Sequence, residues 1–290
     1  MDNQITRIDR AEALEALNRS EIDIQIATAK RYPRDVQQSI NRVRALALQD
    51  DDTAQECFYS LRRSGQDGSA NVVEGPSVRF AEIVASSWGN LRVASQVVAN
   101  DGKFITARGM CLDLETNVAV SSEVQRRITN KFGKTFSEDM QVVTGNAAAA
   151  IAFRNAVFKV VPKAVTAAVL KDIKDAAIGR AMDVENASQK MFSYFAKIGV
   201  TEPMILSYFG LSSRDEITAE MIVELRGACT AIKEGTSTAK EMFIDPFNAA
   251  ADSARAAEQA KTRKGAVAAA MAKQAEETDG DMPEGLELGL

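Results

Sequence analysis

The stretch from residue 142 to 161, VVTGNAAAAIAFRNAVFKVV, limits the possible folds of this chain more than any other segment. At about 100° per residue, one broad apolar arc forms, as in a helix that packs on one side; its residues are Ala149, Ala152, Phe153, Ala156, Val157, Val160 and Val161. The alanines favour a helix and have small side chains, so this helix can lie close against a sheet. Arg154, Asn155 and Lys159 fall on another side. We expect these three to point away from the sheet and to hold a ligand.

Three segments with alternating apolar and polar residues precede this helix, and the alternation predicts strands at 92–99, 103–114 and 118–128. The first two segments are separated by Asn-Asp-Gly at 100–102, which is a strong hairpin signal. A second turn follows at 115–117. The sequence therefore predicts an α+β fold in which an antiparallel β-meander packs against a long helix.

The residues before the meander predict one more strand and one more helix. Residues 57–63, CFYSLRR, have the pattern of a strand. Pro76 suits the first turn of a helix and Gly89 suits its C-terminal stop. Trp88 belongs to the apolar stripe of that helix, so we expect it to anchor the core rather than to stack on a ligand.

Composition divides the chain into four parts. The first has a mainly helical pattern, is interrupted at Pro33 and ends in a charged loop at Asp50–Asp52, which indicates an arm that packs on the core or on a neighbouring subunit. The second contains the meander and the long helix, the third is a separate small helical bundle for partner docking, and the fourth is an alanine-rich linker with an acidic tail. Their bounds are 1–52, 53–182, 186–244 and 245–290.

The acidic tail ends in DMPEGLELGL, which mixes carboxylates with isolated leucines. One interpretation is a short linear motif that docks in a basic, hydrophobic pocket. The other is plain disorder that keeps the chain soluble. The sequence leaves both open.

Absent residue types exclude several classes of chemistry. The chain has no histidine, which excludes Ser-His-Asp and Cys-His nucleophile systems and the common zinc sites. It lacks the GxxxxGK[ST] phosphate loop, which argues against ATP-driven strand exchange, and it also lacks GxGxxG. Its three cysteines form no CxxC and are expected to be reduced and mostly buried. We expect no cofactor and no enzymatic activity.

The location of the protein is expected to be the cytoplasm. No apolar run approaches the roughly 18 residues of a membrane span. The N-terminal MDNQITRIDR is polar and charged, unlike a signal peptide. We therefore expect no membrane partner.

Charge is unevenly distributed along the chain, although the net charge is −5. Residues 54–180 contain 16 basic and 12 acidic residues, whereas both ends are acidic. A basic centre between acidic ends suits a core that binds a polyanion. An ordinary solvated surface explains the same modest excess equally well.

The strongest local signal combines basic and aromatic residues after the third meander strand. Lysine and arginine neutralise phosphates, and aromatic faces can stack on bases. The alternative to a nucleic-acid contact is a solvated basic loop whose two aromatic side chains pack in the core. The residues are Arg126, Arg127, Lys131, Phe132, Lys134 and Phe136.

Weaker candidates for nucleic-acid contacts come from three other places. Arg154, Asn155 and Lys159 could form a groove wall, or could simply face solvent or pair with a carboxylate. Cations at strand ends and in hairpins are often simply exposed to solvent and contact no ligand. These are Arg62, Arg63, Lys103 and Arg108. A metal-dependent nuclease site at Asp113, Glu115 and Glu123 is a minor alternative, because such a site needs carboxylates from separate elements.

The order of strand, helix, three-strand meander and long basic helix resembles phage single-strand annealing proteins of the RecT/Redβ superfamily. The resemblance covers residues 57–178 and, more loosely, 186–242. It is carried by VEGPSVRFAEIVASSWGN, DGKFITARGMCLDLETNVAV, QRRITNKFGK and NAAAAIAFRNAVFKVVP.

The resemblance implies an ATP-independent protein that coats single-stranded DNA and anneals complementary strands in recombination. It implies a ring or helical homo-oligomer with DNA in a groove between the meander and the long helix, and a C-terminal region that docks an exonuclease or a single-strand binding protein. Family DNA contacts map onto Arg126, Arg127, Lys131, Lys134, Arg154 and Lys159. The alternative is a phage assembly or adaptor protein that oligomerises without binding DNA.

Overall fold

The computed structural model describes residues 2–64, 70–130, 132–181 and 183–250. The predictions for Lys131 and for the tail beyond residue 250 therefore lie outside the described residues. The helices are α1 (Asp2–Arg31), α2 (Val36–Ala47), α3 (Asp51–Glu56), α4 (Val78–Trp88), α5 (Glu138–Val160), α6 (Lys163–Arg180), α7 (Val184–Lys197), α8 (Glu202–Phe209) and α9 (Ala219–Lys233). The strands are β1 (Phe58–Ser64), β2 (Ala70–Pro76), β3 (Leu91–Asn100), β4 (Phe104–Asp113) and β5 (Val118–Arg127). Short helical turns add Arg214–Glu216 and Lys240–Ile244.

The predicted meander is confirmed. Strands β3, β4 and β5 form one antiparallel three-stranded sheet in that order. A bulge between Val97 and Ala99 shifts the register at the end of β3. Residues alternate strictly between the two faces of β4, so Ile105 and Ala107 are buried towards α5 while Arg108 and Met110 are exposed on the other face.

Helix α5 lies directly on the sheet, as its alanines predicted. It begins at Glu138, four residues earlier than the apolar pattern indicated, because Ser137 caps it by accepting from the amide of Met140. The closest approach is between Gly109 and Ala152, where a Cβ on Gly109 would overlap the carbonyl of Ala152. Only glycine lets the helix backbone come this near to the strand.

Two local predictions before the meander are wrong. Asp50–Asp52 do not form a loop, because the Asp50 carboxylate accepts from the amide of Thr53 and caps the short helix α3. The segment before Pro76 is strand β2, which pairs with β1 in a separate two-stranded hairpin. Helix α4 follows β2 directly and is capped by Ser77. Trp88 is buried, as predicted.

The C-terminal helices do not form a separate bundle, which corrects the predicted boundary after residue 182. Helices α3, α6 and α7 and strand β1 all contact α9. Phe195, Ile222 and Leu225 belong to the same continuous core as Phe58 and Phe80. The helices complete this core because β1 and α4 leave an apolar surface that the meander does not cover. A smaller core lies between α5 and the meander.

Among the described residues, no helix combines the length and the apolar character needed to cross a bilayer.

Candidate nucleic-acid interface

One end of the meander brings together Lys103, Arg127, Phe132 and Lys134, and we call these four residues the cationic corner. The amide of Ile128 donates to the carbonyl of Lys103 at 2.8 Å, which joins β5 to the β3–β4 turn. All four side chains are exposed, and Phe132 is 82% exposed. The turn and the loop after β5 therefore share one surface, although the chain separates them by about 25 residues.

The loop after β5 has a defined shape. The side-chain oxygen of Asn130 accepts from the amides of Phe132 and Lys134 at 2.9 and 3.0 Å. Gly133 has a φ of +81°, which a side chain would disfavour, and Thr129 bridges to Thr135. The result is a small hairpin with Phe132 at its tip. Phe136 lies at its base, partly buried against the smaller core.

Arg127 and Phe104 form a cross-strand pair on the face of the sheet opposite α5. The guanidinium of Arg127 lies over the Phe104 ring, 5.6 Å from its centroid. The nearest acidic residue in the turn is Asp101, whose carboxylate accepts from the amides of Lys103 and Phe104. These backbone hydrogen bonds lower the pKa of Asp101, so it is ionised and offsets part of the corner's charge.

Arg108 lies on the same open face, further from the corner. It forms an ion pair with its cross-strand neighbour Glu123 at 2.7 Å, and both side chains are about half exposed. An exposed ion pair of this kind has a small stabilising effect, so a phosphate can compete for the arginine. Thr106 and Gln125 complete a polar surface between Arg108 and the corner. Strand alternation places Thr106, Arg108, Gln125 and Arg127 on this one face.

Arg126 faces the opposite side of the sheet from Arg127. It donates to the carbonyl of Gly235 and, at 3.5 Å, to that of Thr236. Burial lowers the pKa of Arg126. This arginine therefore holds β5 to the segment after α9 and does not belong to the cationic corner.

Arg154 lies on the side of α5 away from the sheet, as predicted, but it is buried and forms the carboxylate pair that the sequence left open as an alternative. Its side chain is 9% exposed, pairs with Glu234 at 3.3 Å and lies over the ring of Tyr59 at 4.8 Å. Glu234 also accepts from the amide of Val78 at the start of α4. Burial raises the pKa of Glu234 in spite of this pairing. Arg154 faces the C-terminal helices, because α5 is covered on that side as well as on the sheet side.

Arg62 is also engaged within the protein. Its guanidinium donates to both carboxylate oxygens of Glu224, at 2.8 and 2.7 Å, and lies over the ring of Phe209 at 5.0 Å. The hydrogen bond to Glu224 raises the pKa of Arg62. The neighbouring Arg63 belongs to β1, but its side chain lies outside the described part of the structure.

Asn155 and Lys159 lie on α5 far from the corner. Lys159 is exposed and Asn155 is half-buried. The corner meets α5 near Gln141, whose side chain donates to the carbonyl of Phe136. At 1.5 Å per residue, Lys159 is about 27 Å along the helix from that point. These residues therefore do not extend the corner.

Single-stranded DNA cannot lie between β4 and α5, where the resemblance to annealing proteins would put it. Gly109 and the Ala152 carbonyl are in direct contact there, and Ala107 and Ala148 are fully buried beside them. The accessible surface of the sheet is its other face. The described contacts thus separate into the cationic corner, Arg108 on the open face, three arginines bound within the fold, and two residues on the far part of α5.

The carboxylates considered for a metal site bind an arginine instead. Arg34, which the sequence analysis did not single out, donates to both oxygens of Asp113, at 2.7 and 3.0 Å, and its amide donates to Glu115. Glu123 pairs with Arg108. Within the described residues, no group of three potential ligands is arranged to hold a metal ion.

Comparison with protein-family models, curated proteins and solved structures finds no match to this chain.

Proposed function

We propose that this protein binds single-stranded DNA without sequence preference and, as a homo-oligomer, anneals complementary strands without ATP. The observation that supports this most is the cationic corner, where three exposed cations and an aromatic ring that is 82% exposed lie on turns joined by backbone hydrogen bonds. Cations that contact the backbone and aromatic faces that stack on bases are the two elements of sequence-independent single-strand binding.

The proposed path of DNA follows the open face of the sheet. Phosphates contact Lys103, Arg127 and Lys134, and one base stacks on Phe132. Beyond the corner, the strand crosses Thr106 and Gln125, and Arg108 exchanges its partner Glu123 for a phosphate. A strand held on an open face keeps its remaining base edges accessible, which annealing requires.

The test replaces Lys103, Arg127 and Lys134 together by alanine and measures binding of a labelled oligonucleotide across a salt series. Each lost phosphate contact reduces the slope of log K against log salt by about 0.7, so the expected reduction is about 2. The matched control replaces Lys30, Arg42 and Lys197, which are exposed elsewhere and change the net charge equally. Equal losses in both variants, or no binding by the unaltered protein at low salt, would contradict the proposal.

Phe132→Ala tests the stacking contact separately from charge. It should weaken binding by about 1–3 kcal/mol and leave the salt slope unchanged, because no phosphate contact is lost. A change in slope with no change in affinity at low salt would show that Phe132 acts only by shaping the loop. Circular dichroism checks that the fold is intact.

Homo-oligomerisation is supported by a second surface. Val97 and Val98 on β3 and Met140, Val142 and Val143 on α5 are all substantially exposed. Strand β3 is also an edge strand of its sheet. Exposed apolar residues beside an unpaired strand edge favour association with another chain. Val142→Asp should shift the sedimentation profile towards monomer, whereas Ile198→Asp, at an exposed apolar residue outside this surface, should not.

The alternative is an assembly or adaptor protein that oligomerises without binding DNA, and the same apolar surface favours it. An annealing assay on complementary oligonucleotides separates the two functions. Oligomers that neither bind nor anneal DNA would support the adaptor. A docked exonuclease or single-strand binding protein at the C-terminal helices remains part of the annealing proposal.

A further inference from the structure

A cavity of about 430 Å³ opens between the end of β2, the end of α5 and the start of α6. Its apolar part comes from Pro76, Phe158 and Leu170. The Phe158 ring stacks on Phe80, with centroids 5.9 Å apart, and Phe80 is fully buried. The floor of the cavity is thus fixed by the main core.

Three lysines surround this apolar floor. Lys163, Lys171 and Lys174 lie on one face of α6, because at about 100° per residue they fall within an arc of about 80° around the helix axis. Lys174 pairs with Glu74 on β2. Lys163 and Lys171 are exposed and have no ion-pair partner among the described residues. The cavity therefore combines an apolar pocket with two available cations.

A segment of complementary chemistry exists in the same chain. Residues 276–290 contain six carboxylates and no lysine or arginine. Within them, Leu286, Leu288 and Leu290 alternate with Glu287 and glycine. A leucine suits the apolar floor, and the neighbouring carboxylates suit the lysines, which is how short motifs bind amphipathic pockets.

The chain between residue 250 and the acidic segment is long enough to reach the cavity. Thirty residues separate residue 250 from residue 281. A coil of that length has an end-to-end distance of roughly 30 Å. A domain of 250 residues has a radius of gyration of about 18 Å. Fully extended, thirty residues span up to about 100 Å, which exceeds the width of such a domain, so the segment can reach the cavity.

We propose that residues 281–290 dock into this cavity of the same chain. A leucine side chain packs on Phe158 and Leu170, and the carboxylates of the segment pair with Lys163 and Lys171. This inference does not depend on DNA binding, because the cavity lies at the other end of α5 from the cationic corner.

Disulfide trapping in the full chain tests the docking. Ala167 borders the cavity and is exposed, so Ala167→Cys with Leu288→Cys should form an intramolecular disulfide under mild oxidation. The matched control pairs Leu288→Cys with Ala196→Cys, an exposed position on α7. Tethering alone gives both pairs an effective concentration near millimolar, so docking is shown only by a difference in rate. The three native cysteines are buried and compete little.

We expect the Ala167 pair to react at least about tenfold faster than the Ala196 pair, corresponding to 1.4 kcal/mol. Adding Lys163→Glu and Lys171→Glu should remove that advantage. Equal rates in the two pairs, a disulfide found only between chains, or no effect of charge reversal would each overturn the proposal.

A second measurement uses the unaltered protein. Carbodiimide couples a lysine to a carboxylate only when they are in direct contact. Peptide mass spectrometry should find Lys163 or Lys171 joined to Asp281, Glu284 or Glu287. Coupling of these carboxylates to lysines elsewhere with equal yield would contradict the assignment.

Discussion

Arg34 should be among the most important single side chains for stability, because it ties the N-terminal helices to the meander from a buried position. Its side chain is 8% exposed and that of Asp113 is 6% exposed. Besides its two bonds to Asp113, it donates to the carbonyls of Trp88 and Gly89, and it lies over the Trp88 ring at 4.6 Å. Arg34→Met would keep most of the volume and remove every one of these bonds.

The expected loss is about 3–5 kcal/mol, because removal of one partner leaves the other charge buried and uncompensated. After the change, Asp113 retains only the amides of Glu115 and Thr116, at 3.0 and 3.3 Å. The double variant Arg34→Met with Asp113→Asn removes the buried charge as well. It should be less destabilised than the sum of the single variants by about 2 kcal/mol, within the usual range for residues in contact.

The matched control is Arg44→Met. Arg44 pairs with Asp172 at 2.8 Å, nearly the same distance, but both side chains are more than 40% exposed. An exposed pair contributes less than about 1 kcal/mol. Urea unfolding followed by far-ultraviolet circular dichroism compares the variants, and fluorescence of Trp88, the single tryptophan, is a second probe. Equal shifts for Arg34→Met and Arg44→Met, or strict additivity in the double variant, would refute the reasoning.

The dependence of stability on acid pH should reveal the same pairing of Arg34 with Asp113. Burial acts to raise the pKa of Asp113, but the hydrogen bonds from Arg34 and from the Glu115 and Thr116 amides outweigh it, and the net effect is a lowered pKa. Its stabilising contribution is therefore complete above the ordinary value near 3.9 and is lost as the pH falls through the lowered pKa. In Asp113→Asn this part of the acid dependence should be absent, which an unfolding series between about pH 2 and 5 would check.

Three further outcomes follow from the packing. Gly109→Ala should destabilise by about 3 kcal/mol or more, since the Ala152 carbonyl is backbone and cannot rotate away; a Tm change within error would contradict the contact. Because burial raises the pKa of Glu234, its contribution to stability should fall as the pH rises from about 4.3 through the raised pKa, and Glu234→Gln should flatten that part of the unfolding profile. Burial raises the pKa of Cys229 to about 12, so alkylation at pH 8 should be more than about 100-fold slower than for a free thiol, as followed by mass spectrometry.

Local pattern was sufficient to predict the meander and α4. Alternation and the Asn-Asp-Gly turn located all three strands within about two residues, since a half-buried strand repeats every second residue. The same alternation puts Arg126 and Arg127 on opposite faces, as the structure shows. Strand β2 was missed because Val72 and Val73 are both partly exposed, so no buried face repeats along it.

The environment of the arginines could not be predicted, because it depends on partners distant in the chain. Helical periodicity gave the angle between Arg154 and the alanines of α5 but not what covers each side. Its partner Glu234 is 80 residues away, and Glu224, the partner of Arg62, is 162 residues away. Lys103 was considered only as a hairpin cation, and tertiary structure alone shows that it lies beside the loop after β5.

The length of α5 has a consequence for how its two ends can communicate. About 27 Å of helix separates the neighbourhood of Gln141 from Lys159, close to the lysine-lined cavity. At physiological ionic strength the Debye length is about 8 Å, roughly a third of this separation. The electric field of a charged ligand at one end is therefore largely screened at the other end. Ligands bound at the two ends are also too far apart to touch each other. Occupancy at one end should therefore leave affinity at the other unchanged unless the helix itself shifts on the sheet, and the absence of a side chain at Gly109 leaves almost no room for such sliding.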